Sequence, residues 1–227
     1  MNGIQIGFTK SSDRLYRQAS VLALITIIYN IVEGVVSVYF GVEDETFALF
    51  GFGLDSFVEV ASGIGIWHMI RRIRHNQNER PDEIEKTALR VTGTGFYVLT
   101  AGLGAMAIMN IVQGRRPETT FWGIVVSIVS LVAMWFLIRA KVKVGKDLNS
   151  AAILADAACT RACLRLSLVL LVASVGYELS GIGGIDALGT MVIAWLCFRE
   201  GKEAFDKVKA GSFACACGGA CETGNNH

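Results

Sequence analysis

Charge and proline are what this chain has least of. Only 18% of its 227 residues are charged and only two are proline. A soluble chain of this length carries nearer a quarter charged residues and lacks repeated apolar runs of about 20 residues. An ordinary soluble domain is therefore excluded. The net charge of +1 leaves no basic or acidic excess to attract nucleic acid or an acidic partner. The first twenty residues are polar and mixed, and the first apolar run has the length of a full span, so no cleavable signal peptide is expected. No nucleotide-binding loop is present, which argues against ATP as a driving force.

What is present is apolar sequence, 52% of the chain. It divides into six stretches, near Gln18 to Phe40, Phe47 to Ile70, Ala88 to Val112, Phe121 to Ile138, Leu148 to Leu179 and Ile185 to Phe198. The last is expected to continue as a charged helix to about Lys209. The connections are short and insert no soluble domain. The expected fold is all-α, a polytopic membrane protein with six transmembrane helices. Lysine and arginine set its orientation. Seventeen of them flank the spans on one side, among them Arg14, Arg71, Lys141 and Arg199, against only Arg115 and Arg116 on the other. Both termini are expected in the cytoplasm. Residues 1–17 are then a cytoplasmic N-terminal segment and residues 210–227 a cysteine-rich cytoplasmic tail. The glycines of the third span (Gly93, Gly95, Gly102 and Gly104) and of the turn GIGGID predict close helix packing in lipid.

Two stretches break the apolar pattern. GLDSFVEVAS in the second span places Asp55 and Glu59 four residues apart, on one helix face. LADAACTRACLRL in the fifth repeats that spacing with Cys159 and Cys163. Ionisable groups at membrane depth are costly and mark an ion path or a partner site. Two carboxylates one turn apart in lipid repel unless a cation or protons neutralise them. Together the two pairs make a four-ligand cage for a divalent or soft metal. The six cysteines do not read as a disulfide framework. Cys159, Cys163 and Cys197 lie in apolar helices, and Cys215, Cys217 and Cys221 crowd a tail expected to face the reducing cytoplasm.

Neighbouring residues have more than one reading. Asp156 is an entry ligand or part of a packing network. Arg161 and Arg165 lower the pKa of adjacent thiols or pair with Glu33 or Glu178. Glu33, deep in the first span, carries protons or is the partner of one of those arginines. Cys197 reads as a small apolar filler. His68 and His75 read as interfacial residues. Cys215, Cys217 and Cys221 are an accessory soft-metal trap or sites of lipidation.

In order and spacing these motifs resemble the cation diffusion facilitators. That family has six spans with both termini inside. Its members bind metal between an Asp-x-x-x-Asp pair on the second span and a His-x-x-x-Asp pair on the fifth. LDSFVEVAS resembles the former, with Glu59 in the second acidic position. ADAACTRACL resembles the latter, with Ala155, Asp156 and Ala157 matching and Cys159 and Cys163 standing for His and Asp. GIDALGTMVIAWLCFREG resembles the sixth span, and the likeness covers roughly residues 14–209. Three departures stand out: two thiols replace imidazole and carboxylate, the long cytoplasmic domain after the sixth span is missing, and RAKVKVGKDLNS is not histidine-rich.

The resemblance implies a secondary transporter rather than an enzyme, with residues 18–209 as its metal-transport domain. It would export Zn²⁺, Cd²⁺ or a softer ion such as Hg²⁺ or Cu⁺ across a bacterial-type cytoplasmic membrane by proton antiport. Its partners would be the ion, protons and the bilayer, with no prosthetic group and no nucleic acid; a homodimer is left open. The alternatives are a membrane thiol oxidoreductase, for which sulfurs one turn apart are poorly placed, and a metal-binding membrane protein that does not transport.

Overall fold

A computed structural model describes residues 10–75, 82–113, 119–148, 151–182 and 184–210. It contains six helices, α1 (Lys10–Glu43), α2 (Phe47–His75), α3 (Asp82–Gln113), α4 (Phe121–Asp147), α5 (Ala151–Ser180) and α6 (Gly184–Ala210), and among the described residues no strand. Most helices run past the apolar run that predicts them, whereas α5 begins three residues later than its run. The clearest case is α4, which continues through Arg139–Asp147, a stretch that reads as a connection in the sequence. Arginine, alanine and lysine are good helix formers, so the turns that leave the apolar layer stay helical. Stretches of α1 to α5 are long and apolar enough to cross a bilayer: Arg14–Glu43, Phe47–Gly65, Gly93–Val112, Phe121–Asp147 and Thr160–Ser180. The protein is an integral, multi-pass membrane protein.

Polar residues gather inside the bundle beside a buried apolar core that includes Leu49, Phe52, Leu103, Met134, Leu170 and Ile193, while many other apolar side chains face outward. On α1 the buried positions include Ala19, Ala23, Thr26, Asn30, Glu33 and Ser37, a helical stripe three to four residues apart, with Ile27 beside it. Val21, Ile25, Ile28, Val32 and Val35 on the same helix are exposed. On α5 Thr160, Cys163, Ser167 and Ser174 are buried while Leu168 and Val172 face outward. In water this would be an inverted pattern. In lipid, where apolar side chains gain nothing by burial against each other, polar groups turn inward to find partners. Ser130 and Ser167 hydroxyls, 2.8 Å apart, join α4 to α5, and the Thr100 hydroxyl donates to the Ala194 carbonyl at 3.3 Å, joining α3 to α6.

The helices pair as α1 with α2, α3 with α6 and α4 with α5, and α2 also touches α3, α5 and α6. It is the hub. Its first turn is capped from α6: Asp186 accepts the backbone N–H of Phe47 at 3.1 Å and of Ala48 at 3.2 Å. Glu178 at the end of α5 serves α4 in the same way, accepting the Thr120 N–H at 2.7 Å. Carboxylates suit such positions because helix N-termini leave backbone donors unpaired and carry partial positive charge.

Glycine sets how near α1 and α2 approach. A Cβ on Gly53 would lie 2.8 Å from the Val38 nitrogen and 2.9 Å from the Ser37 Cβ, and one on Gly41 would lie 2.5 Å from the Phe50 nitrogen. In the third span the expectation holds for only half of the glycines. Gly93 packs against Phe205 and Gly95 against Val58, whereas a Cβ at Gly102 or Gly104 would meet nothing within 4 Å. Gly181, in the turn before α6, adopts a φ of 66°, so there the glycine supplies a left-handed backbone rather than a packing surface.

The contrast gives a test of the packing. Gly53→Val forces α1 and α2 apart and is expected to destabilise the bundle by about 1–3 kcal/mol, the usual cost of overpacking. Gly102→Ala is expected to leave stability unchanged or slightly raised. Thermal unfolding midpoints in detergent measure both, and equal midpoints for the two variants would show that α1–α2 contact is not set by Gly53.

Candidate metal site

The close α1–α2 approach brings the polar stripes of the two helices together halfway along the bundle. Asp55 and Glu59, 1% and 9% exposed, sit one turn apart on the buried face of α2. Cys163 comes from α5, also buried. One carboxylate oxygen each from Asp55 and Glu59 and the Cys163 sulfur all lie within 4.8 Å of one another. The Cys163 sulfur thus stands within 4.8 Å of a Glu59 oxygen, so α2 and α5 face each other at this point. Two hard oxygen donors and one soft sulfur donor converge here, a set that suits a divalent or thiophilic ion.

The surrounding side chains orient the ligand atoms. Asn30 on α1 donates from Nδ2 to Glu59 Oε2 at 2.8 Å. Glu33, one turn further along α1, accepts the Tyr29 hydroxyl at 2.9 Å and the Ser56 hydroxyl at 3.1 Å. Because Ser56 follows Asp55 in the chain, the Glu33 carboxylate borders the cluster through a single hydroxyl. Asp55 has a neighbour on α6 as well, the Cys197 sulfur 3.8 Å from its Oδ1. Its other oxygen, Oδ2, is buried and has no hydrogen-bond partner.

Of the residues singled out in the sequence, Asp55, Glu59 and Cys163 are brought together. Cys159 and Asp156 lie on α5, but their side chains fall outside the described residues, as do Cys215, Cys217 and Cys221. The expected pairing of Arg161 or Arg165 with Glu33 or Glu178 is not what the structure contains. Both arginines are exposed on the outer face of α5, whereas Glu33 is buried and held by hydroxyls and Glu178 caps α4. Arg165 instead lies 3.6 Å from Glu200 of α6. His68 is exposed, in keeping with an interfacial position.

Three residues escaped the sequence reading. Asn30 is one polar residue in an apolar span, and only its register with Glu33, Thr26 and Ser37 hinted at an inward face. Cys197, alone in its apolar helix, carries no local signal beyond that of a small apolar residue. Lys141 was counted among the flanking charges, yet it is 1% exposed and donates from Nζ to the Thr160 hydroxyl at 2.9 Å. Its signal was also register: it continues the buried stripe of Ser127, Ser130, Met134 and Leu137 on α4.

A six-helix membrane bundle in which carboxylates of the second helix meet a thiol of the fifth has the donor atoms of a metal-handling membrane protein. The cation efflux transmembrane domain matches residues 19–206, and the chain belongs to the cation efflux family. Among curated proteins it is similar to the manganese efflux system protein MneP of Bacillus subtilis (strain 168), with 26% identity over 199 residues, covering 80% of this chain and 64% of the relative. The chain thus spans slightly under two thirds of that relative's length.

Asn30 gives this site a test that does not touch a ligand. Outer hydrogen bonds to metal ligands are typically worth about 10–100-fold in affinity. Asn30→Ala is therefore expected to weaken Cd²⁺ or Zn²⁺ binding about tenfold or more, measured by competition with a chromophoric chelator in detergent. Unchanged affinity would detach Asn30 from the site.

Proposed function

We propose that this chain exports a divalent or soft heavy-metal cation from the cytoplasm, in the Zn²⁺ and Cd²⁺ class and reaching to Hg²⁺ or Cu⁺, in exchange for protons. Asp55, Glu59, Cys159 and Cys163 are the proposed ligands. The observation that carries the reading is the convergence of Asp55, Glu59 and Cys163 from two helices inside an apolar bundle. Membership of the cation efflux family supports export of a metal cation. Manganese belongs to the name of the relative. Mn²⁺ favours carboxylate, carbonyl and water oxygens, and a buried thiol in the cluster favours a softer ion here.

Proton exchange follows from the donor chemistry. A thiol titrates near 8.5 when unperturbed and must lose its proton to bind metal. Protons entering from the far side would then release the ion, with the site open alternately to each face of the membrane. Glu33, bordering the cluster through Ser56, is the proposed proton carrier. The distribution of lysine and arginine supports a cytoplasmic location for both termini. Residues 18–209 are the proposed transport domain, and the tail cysteines Cys215, Cys217 and Cys221 are proposed to hand soft ions to its inner mouth.

Uptake of radiolabelled metal into inverted vesicles tests these points. Asp55→Ala and Cys159→Ala are each expected to abolish uptake, since loss of one ligand leaves an open coordination position and unpaired buried charge. Wild-type uptake by either variant would remove that residue from the ligand set. Lumen pH should move in step with flux, and a constant lumen pH during accumulation would indicate uniport. Selectivity is the sharper measurement. Replacing Cys159 with His and Cys163 with Asp together exchanges two soft sulfurs for harder donors, and the ratio of Zn²⁺ to Cd²⁺ uptake is expected to rise. A constant ratio with transport retained would mean that these two cysteines do not touch the ion.

A further inference from the structure

We infer that Cys197 of α6 is a further sulfur ligand of the ion at this site, an inference that rests on the proposal that Asp55, Glu59 and Cys163 bind it. Cys197 is fully buried, and its sulfur lies 3.8 Å from Asp55 Oδ1. A tetrahedral ion with a metal–sulfur bond of about 2.3 Å and a metal–oxygen bond of about 2.1 Å sets its sulfur and oxygen ligands about 3.6 Å apart. The Cys197–Asp55 separation is within a few tenths of an ångström of that edge, so these two atoms can share an ion as they stand. Cys197 lies outside the set of Asp55, Glu59 and Cys163 donors within 4.8 Å of one another, and must swing inward to share the ion with Glu59 and Cys163.

The contact alone also fits a thiol that merely donates to a carboxylate. What distinguishes the two is the rest of Asp55. If the thiol were there to satisfy a buried acid, the acid would be fully partnered, yet Oδ2 is buried without a hydrogen bond. An unpartnered buried carboxylate oxygen, with a buried thiol beside its twin and a second buried thiol on α5 close by, is a donor set whose chemistry suits a thiophilic cation. Binding exchanges the Cys197 proton for the ion, the proton leaving to water. Ligation then draws on α2, α5 and α6 together, and the added thiolate shifts the site further towards thiophilic ions.

Cadmium–thiolate charge-transfer absorption counts the sulfurs directly. The parent is the full chain with Cys215, Cys217 and Cys221 changed to Ser, purified in detergent and titrated with Cd²⁺. At saturation, Cys197→Ser is expected to lower the absorbance by the share of one Cd–S bond, roughly a third to a half of the total, and Cys163→Ser to lower it similarly. Cys197→Ala is measured alongside, and helical content with monodisperse elution selects whichever variant is folded for the reading. Full parental absorbance in a folded Cys197 variant, with loss in Cys163→Ser, would overturn this inference and leave the Asp55–Glu59–Cys163 site standing. No Cd–S band in the parent would overturn that site and Cys197 ligation with it.

Discussion

Two carboxylates one helical turn apart, enclosed in a bundle whose outer surface is apolar, are the constraint on which the remaining polar architecture depends. Each charge loses its hydration inside the bundle, and the two repel one another. The structure answers with polar groups from the neighbouring helices: Asn30 of α1 donating to Glu59, the Cys163 sulfur of α5 within 4.8 Å of the same group, and Cys197 of α6 beside Asp55. Those donors in turn require polar or small residues along the inner face of each helix. Apolar side chains are divided between a buried cluster around Leu49, Phe52, Leu103 and Leu170 and the exposed outer surface.

Packing enforces the same arrangement from the backbone side. Asn30 reaches Glu59, and Ser56 reaches Glu33, only because α1 and α2 lie close enough for Gly53 to abut Val38 and Gly41 to abut Phe50. Without those glycines the donors of α1 would stand off from the acids they serve. Small residues thus act on the site at a distance, through the separation of two helix axes.

The helices and the acidic pair were legible in the sequence because both are local signals. A run of about 20 apolar residues and a four-residue spacing need no tertiary knowledge. Contacts between helices were not legible in that way. Cys197 is a lone cysteine whose meaning lies in its distance to Asp55, 142 positions earlier. Arg165 could be paired on paper with any buried glutamate, and which one it meets depends on the α5–α6 packing that offers Glu200. Lys141 was misread for a related reason. Flanking charges are assigned to the water layer by position along the chain, whereas the buried stripe of α4 extends past the apolar run and carries Lys141 with it.

The sixth helix has a larger part than its modest apolar length suggests. It caps the first turn of α2 through Asp186 and reaches Asp55 through Cys197, so α2 is tied to α6 at two levels separated by more than two helical turns. Asn30–Glu59 and Ser56–Glu33 tie α2 to α1. On this frame α1, α2 and α6 form one unit held by direct hydrogen bonds, while α4 and α5 form a second, joined to each other by Ser130–Ser167 and Lys141–Thr160. Between the two units Cys163 stands within 4.8 Å of Glu59, Arg165 pairs with Glu200 at 3.6 Å, and Phe40 stacks on Trp122 with ring centroids 4.0 Å apart. The seam is therefore held at its edges by an ion pair and an aromatic stack, and at its centre by facing donor atoms that a shared cation would draw together.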